Sequence, residues 1–327
     1  MPAPVRLMVN PSAGGGKARR IAPDVQQALT GHGLEVRRSD TTDLEHARTL
    51  AGEAAQAGET VVALSGDGMV GAIADTLRGH QGAVIGVIPG GRGNDLARVL
   101  GIPADPIAAC ATIAAGYQRP VDLGEVQSGD EPGRAFVGIA SVGFDSDANR
   151  IANEAPPWLG ALVYVYGALR ALAAWRPARF TVELDPPGET HLFTGYSVGV
   201  ANSKAYGGGM LAAPDALLDD GLLEVIALEQ VSRLSFLTRV LPRVFKGTHV
   251  ELACVRVLRA TEVGISADRP FTMYADGDPI GSLPLRVRAL PGAVNMIVPE
   301  HSAAPQAFAG PAPAAREPRP TDGAGGG

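Results

Sequence analysis

Short apolar runs alternate with longer amphipathic stretches through the first third of the chain. Val5 to Val9 reads as a strand, followed by Asn10, Pro11, Ser12 and a glycine run, then a helical pattern carrying Lys17, Arg19 and Arg20. Leu34 to Arg38 predicts the next strand, and Thr42 with Glu45 predicts a capping box for a helix through Ala47, Leu50 and Ala54. Val61 to Leu64 is an unbroken apolar run, the mark of a strand covered on both faces of a parallel sheet. Ser65, Gly66, Asp67 and Gly68 break it before a helix starting near Met69 or Val70, and Val84 to Ile88 predicts a further buried strand. This alternation predicts a doubly wound parallel sheet with right-handed crossovers over residues 1–122. Ligands of such sheets bind beyond the carboxyl ends of the strands, where these glycine turns fall.

The pattern then changes period. Val121 to Val126 and Ala135 to Ala140 predict strands, and Phe180, Val182 and Leu184 alternate with polar neighbours, as do Leu283, Leu285 and Val287. Period-two runs separated by Pro and Gly turns predict a second, mainly antiparallel β-sandwich domain over residues 123–300. The segment 301–327 is rich in Ala, Pro and Gly and predicts a disordered tail. Pro157 to Trp175 is apolar nearly all round and carries only Arg170. It predicts a buried helix, with a lipid-facing helix as the alternative because Trp158, Tyr164, Tyr166 and Trp175 suit a membrane rim.

Composition narrows the function. A net charge of −6 and 5% aromatic residues argue against a nucleic-acid partner. Cys110 and Cys254 stand alone, so neither a disulfide framework nor a zinc site is indicated and a reducing compartment fits. The first residues lack a secretory pattern, and no stretch reaches the roughly 20 apolar residues of a spanning helix. The expected location is the cytoplasm, with peripheral contact at the inner membrane face.

The turn at Ser65–Gly68 lets a ligand approach main-chain N–H groups and aims a helix N-terminus at it, which suits phosphate. Asp67 in its centre calls for a cation, a hydroxyl, a ribose or a structural hydrogen bond. A second loop follows in Gly86 to Pro103, GVIPGGRGNDLARVLGIP, where Asn94 and Asp95 open a short helix. SGDGMVGA at Ser65–Ala72, PGGRGNDLAR at Pro89–Arg98 and the opening Asn10–Gly15 together resemble the diacylglycerol kinase catalytic-domain family, over residues 1 to about 300.

The resemblance implies an ATP-dependent lipid kinase that transfers the γ-phosphate to a diacylglycerol-like hydroxyl at a membrane surface, with the active site between the two domains. It implies nucleotide contacts from Asn10, Thr41, Ser65, Gly66, Asp67, Gly68, Met69, Gly71, Gly90, Gly91, Arg92, Asn94, Asp95 and Asp122. Asp67, Asp95 and Asp122 match acidic positions that organise Mg2+ and water. LLDDGLL resembles a segment that holds a structural Mg2+ through Asp220 and the carbonyls of Leu217 and Leu222; read as residues alone it is a turn before a strand. YADGDPI at Tyr274–Ile280 resembles a segment whose first Asp is a general base, which assigns that role to Asp276, with Asp278 where Glu is usual. The chain departs from the family pattern at Met69, Gly71, Ala72 and Arg92, so phosphate-facing hydroxyls are missing from both loops. Two alternatives stay open on these grounds: a non-catalytic homologue that binds nucleotide or lipid, and an NAD kinase-like enzyme.

Overall fold

The computed structural model describes residues 3–129, 132–155, 163–300 and 307–309. Four strands, β1 (Val5–Val9), β2 (Val36–Asp40), β3 (Thr60–Ser65) and β4 (Val84–Pro89), pair in parallel in the order β2-β1-β3-β4. The central β3 and β4 are buried almost end to end, as their apolar runs require, whereas β2 is the edge and carries Arg37 and Arg38. Helices α1 (Ala13–Gly31), α2 (Leu44–Gln56), α3 (Asp67–Leu77), α4 (Asp95–Val99) and α5 (Pro106–Ala115) make the connections.

Two local expectations shift. Helix α2 is capped by Asp43, whose side chain accepts the His46 N–H at 2.8 Å, so the expected Thr42–Glu45 box does not form. Helix α3 starts at Asp67 itself, inside the glycine turn rather than after it.

The remaining strands are β5 (Gln118–Gln127), β6 (Arg134–Phe136), β7 (Ile139–Gly143), β8 (Ala178–Asp185), β9 (Glu189–Ala201), β10 (Leu223–Glu229), β11 (Val255–Ala260), β12 (Glu262–Ala267), β13 (Thr272–Ala275), β14 (Asp278–Ser282) and β15 (Leu285–Ile297). Their mutual pairings are antiparallel, and β8 alternates buried and exposed positions as its sequence predicts. Strand β15 joins the two regions. Its first half pairs antiparallel with β12, and Asn295 and Met296 then pair in parallel with Val84 and Ile85 of β4. Asp122 pins the bend between these halves, because its carboxylate accepts the N–H of Gly292 at 2.6 Å and of Gly221 at 2.7 Å.

The expected strand Ala135–Ala140 is broken into β6 and β7 at Val137–Gly138. The N–H groups of these two residues turn to the Asp276 carboxylate instead of a neighbouring strand, each at 2.9 Å. After β7 come α6 (Phe144–Glu154) and α7 (Val163–Ala174). Residues 157–162 of the expected apolar helix lie outside the described residues. In α7, Ala171 and Leu172 are buried, as is Trp175 just beyond its end, while Leu169 and Tyr166 are exposed, so this part of the segment is one-sided rather than buried all round. Phe144, Trp175, Tyr196 and Phe236 form an aromatic cluster beneath it. No helix among the described residues is long and apolar enough to cross a membrane.

Within the expected tail, Ala307–Ala309 is fastened to the body. The Leu218 N–H donates to the Ala307 carbonyl at 2.8 Å, and the Arg119 guanidinium lies 4.1 Å from the centre of the Phe308 ring. Residues 301–306 and 310–327 lie outside the described residues.

Candidate active site

The two glycine loops meet at the carboxyl ends of β3 and β4. A Cβ added at Gly91 would collide with the Cα of Gly66, and one at Gly14 would lie 2.6 Å from the Gly90 carbonyl, so three backbones approach where only glycine fits. The Gly90 N–H donates to the Ser65 carbonyl at 2.9 Å and the Gly91 N–H to Asn94 Oδ1 at 2.8 Å. These two amides are therefore engaged inside the loop, and what Gly90 and Gly91 supply is room. Asn94 holds the turn in the left-handed region at φ 51°. Asn10 accepts the Ser12 N–H at 3.0 Å and shapes the first loop likewise.

Asp67 ties the loops together. Its two carboxylate oxygens accept the N–H groups of Asp95 at 3.1 Å and Leu96 at 3.0 Å, which caps α4 from a different strand's loop. Burial pushes its carboxyl upward against these hydrogen bonds, with the nearby Asp95 adding to the rise. Asp95 pairs with Arg98 and also accepts the Gly208 N–H at 2.7 Å, so the hairpin Tyr206–Met210 docks on the second loop. We expect Asp67→Asn, which keeps only one acceptor, to cost about 1 kcal/mol of stability in urea unfolding.

Asp276 and Gly277 form the two-residue turn between β13 and β14, with φ of 51° and 98°, the conformation of a tight hairpin. The hairpin and the site are one object. The turn delivers the Asp276 carboxylate to Val137 and Gly138 and to the face of α3, where a Cβ on Gly71 would lie 2.7 Å from Asp276 Oδ2. Gly71, a departure from the family pattern, leaves the space this carboxylate fills. Burial is the main reason the Asp276 carboxyl is pushed up to about 7; the Val137 N–H opposes it and the Asp67 charge adds to it. Asp278 reaches the other side of the turn, its Oδ2 2.9 Å from where a Gly68 Cβ would stand.

Met69 is 3% exposed and packs its sulfur 3.7 Å from Thr41 Oγ1, which also donates to the Val9 carbonyl at 3.2 Å. Both residues thus sit in the wall behind the loop, although Met69 also borders the cavity. Arg92 is exposed at the tip of the second loop. Asp122 and the Leu217–Leu222 turn stand off the cavity. Asp122 is spent on the two amides described above, and Asp220 accepts the Leu222 N–H at 3.0 Å. Among the described residues no group of three or more His, Cys, Asp or Glu side chains is arranged to hold a metal.

One cavity of about 650 Å³ connects these parts. Its polar end is formed by Asn10, Ser65–Met69 and Gly91–Gly93, Asp276 borders its middle, and an apolar arm continues between Phe144, Ile226, Leu228, Phe236, Val240 and Val244. The outer wall of the arm is the helical run from Arg233 to Val244, whose middle, Phe236–Val240, is π-helical. Asp145, in α6, also borders the cavity, its carboxyl bonded to the hydroxyls of Ser197 and Tyr206 and pushed by burial to about 6. Sequence reading missed this arm because its residues come from three separated segments. Only the hairpin YGGGM at Tyr206–Met210 carried a local signal, as a further glycine turn.

Comparison with known proteins bears on the family and the fold. Residues 4–126 match the family model "Diacylglycerol kinase catalytic domain" and residues 138–298 the model "YegS C-terminal NAD kinase beta sandwich-like domain". A diacylglycerol kinase of Mycobacterium tuberculosis is 34% identical over 300 residues, covering 91% of this chain and 96% of that protein. A probable lipid kinase YegS-like protein of Pseudomonas aeruginosa is 31% identical, covering 91% of this chain and 95% of its own. The crystal structure of a putative diacylglycerol kinase from Bacillus anthracis superposes with a TM-score of 0.74 at 21% identity, covering 90% of this chain and 97% of that one. An α/β half with paired glycine loops, a β-sandwich half that returns an acid to them, and relatives matched over nine-tenths of the chain lead to one conclusion: the chain belongs to the diacylglycerol kinase catalytic-domain family of lipid kinases.

Proposed function

We propose that the chain transfers the γ-phosphate of ATP to the hydroxyl of a diacylglycerol-like lipid, with Asp276 as the general base. The observation that carries this reading is a cavity that runs from a polar glycine cradle, past the Asp276 carboxylate, into an apolar arm. Two reactants of opposite polarity need such a space, and the proton must move where they meet.

The polar end fits a nucleotide triphosphate by its chemistry. Close backbone approach at Gly14, Gly66 and Gly91 brings the loops together round a hollow at this end of the cavity, and Ser65 Oγ, buried beside them, has no hydrogen-bond partner. Arg92 supplies a guanidinium at the mouth of the hollow. Asp67 and Asp95 border this end, and the lone pairs left on their oxygens after the bonds to Leu96, Gly208 and Arg98 are what a nucleotide-bound Mg2+ would accept; that ion, when bound, would neutralise charge on the transferring phosphoryl group. The Leu217–Leu222 turn offers one carboxylate and main-chain carbonyls, a donor set suited to a second Mg2+ that would brace the turn. Asp276, aligned by Val137 and Gly138, would accept the proton of the lipid hydroxyl. The apolar arm would hold the acyl chains, and the chain would work as a peripheral protein at a membrane surface.

The departures at Met69 and Arg92 are compatible with turnover, because the cradle is made of backbone and Met69 packs back against Thr41. Labelled γ-phosphate, ATP and magnesium supplied with a panel of lipid alcohols in mixed micelles test the reading directly. Transfer to a lipid alcohol and not to NAD is the expected result. Binding of ATP with no transfer to any acceptor would make the chain a non-catalytic homologue, and transfer to NAD alone would make it an NAD kinase-like enzyme.

A further inference from the structure

Ser203 stands one hydrogen-bonded step from the Asp276 clamp. Its N–H donates to the Gly138 carbonyl at 3.1 Å, as the Asn202 N–H does at 3.0 Å, and Gly138 is one of the two residues whose amides hold Asp276. Asn202 in turn donates its side-chain amide to the carbonyls of Asp122 and Val137, both at 2.8 Å. The segment is therefore braced against the same backbone that positions the base.

The Ser203 side chain is not used by that bracing. The residue is 1% exposed, borders the cavity, and its Oγ has no hydrogen-bond partner. Buried hydroxyls are nearly always paired, and a serine hydroxyl can both donate and accept. Two other cavity-lining atoms share this state: Ser65 Oγ in the phosphate hollow and His249 Nδ1. Ser203 is the one whose backbone touches the clamp of the base.

We propose that the Ser203 hydroxyl is a positioning residue that hydrogen-bonds an oxygen on the carbon beside the acceptor's reacting hydroxyl, so that the site takes a glycerol-type lipid in preference to a plain long-chain alcohol. The inference rests on the lipid-kinase reading of the same cavity. A neighbouring ester or hydroxyl oxygen held by Ser203 fixes the headgroup against a rigid segment and turns the reacting hydroxyl towards Asp276. A plain alcohol has no atom to offer Ser203 and gains nothing from it.

The test compares dioctanoylglycerol with dodecanol, in wild type and in Ser203→Ala, by equilibrium binding and by phosphoryl transfer. The loss of one hydrogen bond should weaken dioctanoylglycerol binding, and raise its KM, by about three- to tenfold, with dodecanol, the KM for ATP and Tm unchanged. Ser203→Cys, of similar shape but a weak hydrogen-bonder, should fall between. Equal effects on both lipids, or no effect on either, overturns the assignment, as does failure of the wild type to bind dioctanoylglycerol. Transfer without a Ser203 effect removes this inference and leaves the kinase reading standing. A selective Ser203 effect on binding without transfer by wild type does the reverse.

Discussion

Asp276→Asn is expected to slow phosphoryl transfer to a lipid alcohol by about 10²–10⁴-fold while leaving ATP affinity within twofold. The amide keeps the size of the side chain and lies outside the glycine cradle, so the nucleotide end should be undisturbed. What is lost is the negative charge that makes the side chain basic enough to take the acceptor's proton, together with one of the two oxygens that accept the Val137 and Gly138 N–H groups. The wild-type pH profile supplies an independent check. The base works only when ionised, and its carboxyl is pushed up to about 7, so the rate should rise with pH and level off above that value. Asp67→Asn, which removes a charge that raises the Asp276 carboxyl, should move that midpoint to lower pH.

Stability should run the opposite way. The carboxyl ionises near the ordinary aspartate value of 3.8 when unfolded and near 7 when folded, so ionisation favours the unfolded chain between these values. Stability from this group is greatest below the lower value and falls as pH rises to the upper one. The difference in Tm between wild type and Asp276→Asn, followed across this window, isolates that contribution from those of Asp67, Asp122 and Asp145, which burial shifts in the same direction. A flat rate profile through the window, or full activity in Asp276→Asn, would remove Asp276 from its role.

Gly91→Ala should abolish nucleotide binding, by at least about a hundredfold, and lower stability by about 1–3 kcal/mol. The new methyl would meet the Cα of Gly66, which is backbone and has no rotamer through which to yield. To accept it, the loops after β3 and β4 must separate, and the amides that line the hollow between them then diverge. Gly71→Ala is the instructive contrast. Its methyl would press on the Asp276 carboxylate, 2.7 Å away, so ATP binding should survive while transfer falls. Isothermal titration with ATP beside the transfer assay separates the two. Wild-type ATP affinity in Gly91→Ala would show that the glycine contact is not the nucleotide's seat.

Much of this protein follows from short-range pattern. The buried runs at Val61–Leu64 and Val84–Ile88, the glycine breaks after them and the period-two alternation at Phe180–Leu184 specify parallel and antiparallel regions, because periodicity and glycine sterics act within a few residues. The same logic placed a short helix after Asn94. It failed at Ala135–Ala140, where strand propensity was overridden by a carboxylate arriving from a residue 139 positions away to claim the Val137 amide. Asp122 shows the same limit from the other side. Its family resemblance pointed to the nucleotide, whereas the fold engages both its oxygens with Gly221 and Gly292.

The apolar arm, the clamp on Asp276, the docking of Gly208 on Asp95 and the unpaired hydroxyl of Ser203 were invisible for one reason. Each depends on the register of strands far apart in the chain, and register is decided by the summed burial of whole sheet faces rather than by any local motif. The sequence by itself determined the kinds of element and the chemistry offered at their ends. Only the tertiary structure decided which of those ends share a cavity, since that follows from β15 carrying the antiparallel strands back against β4.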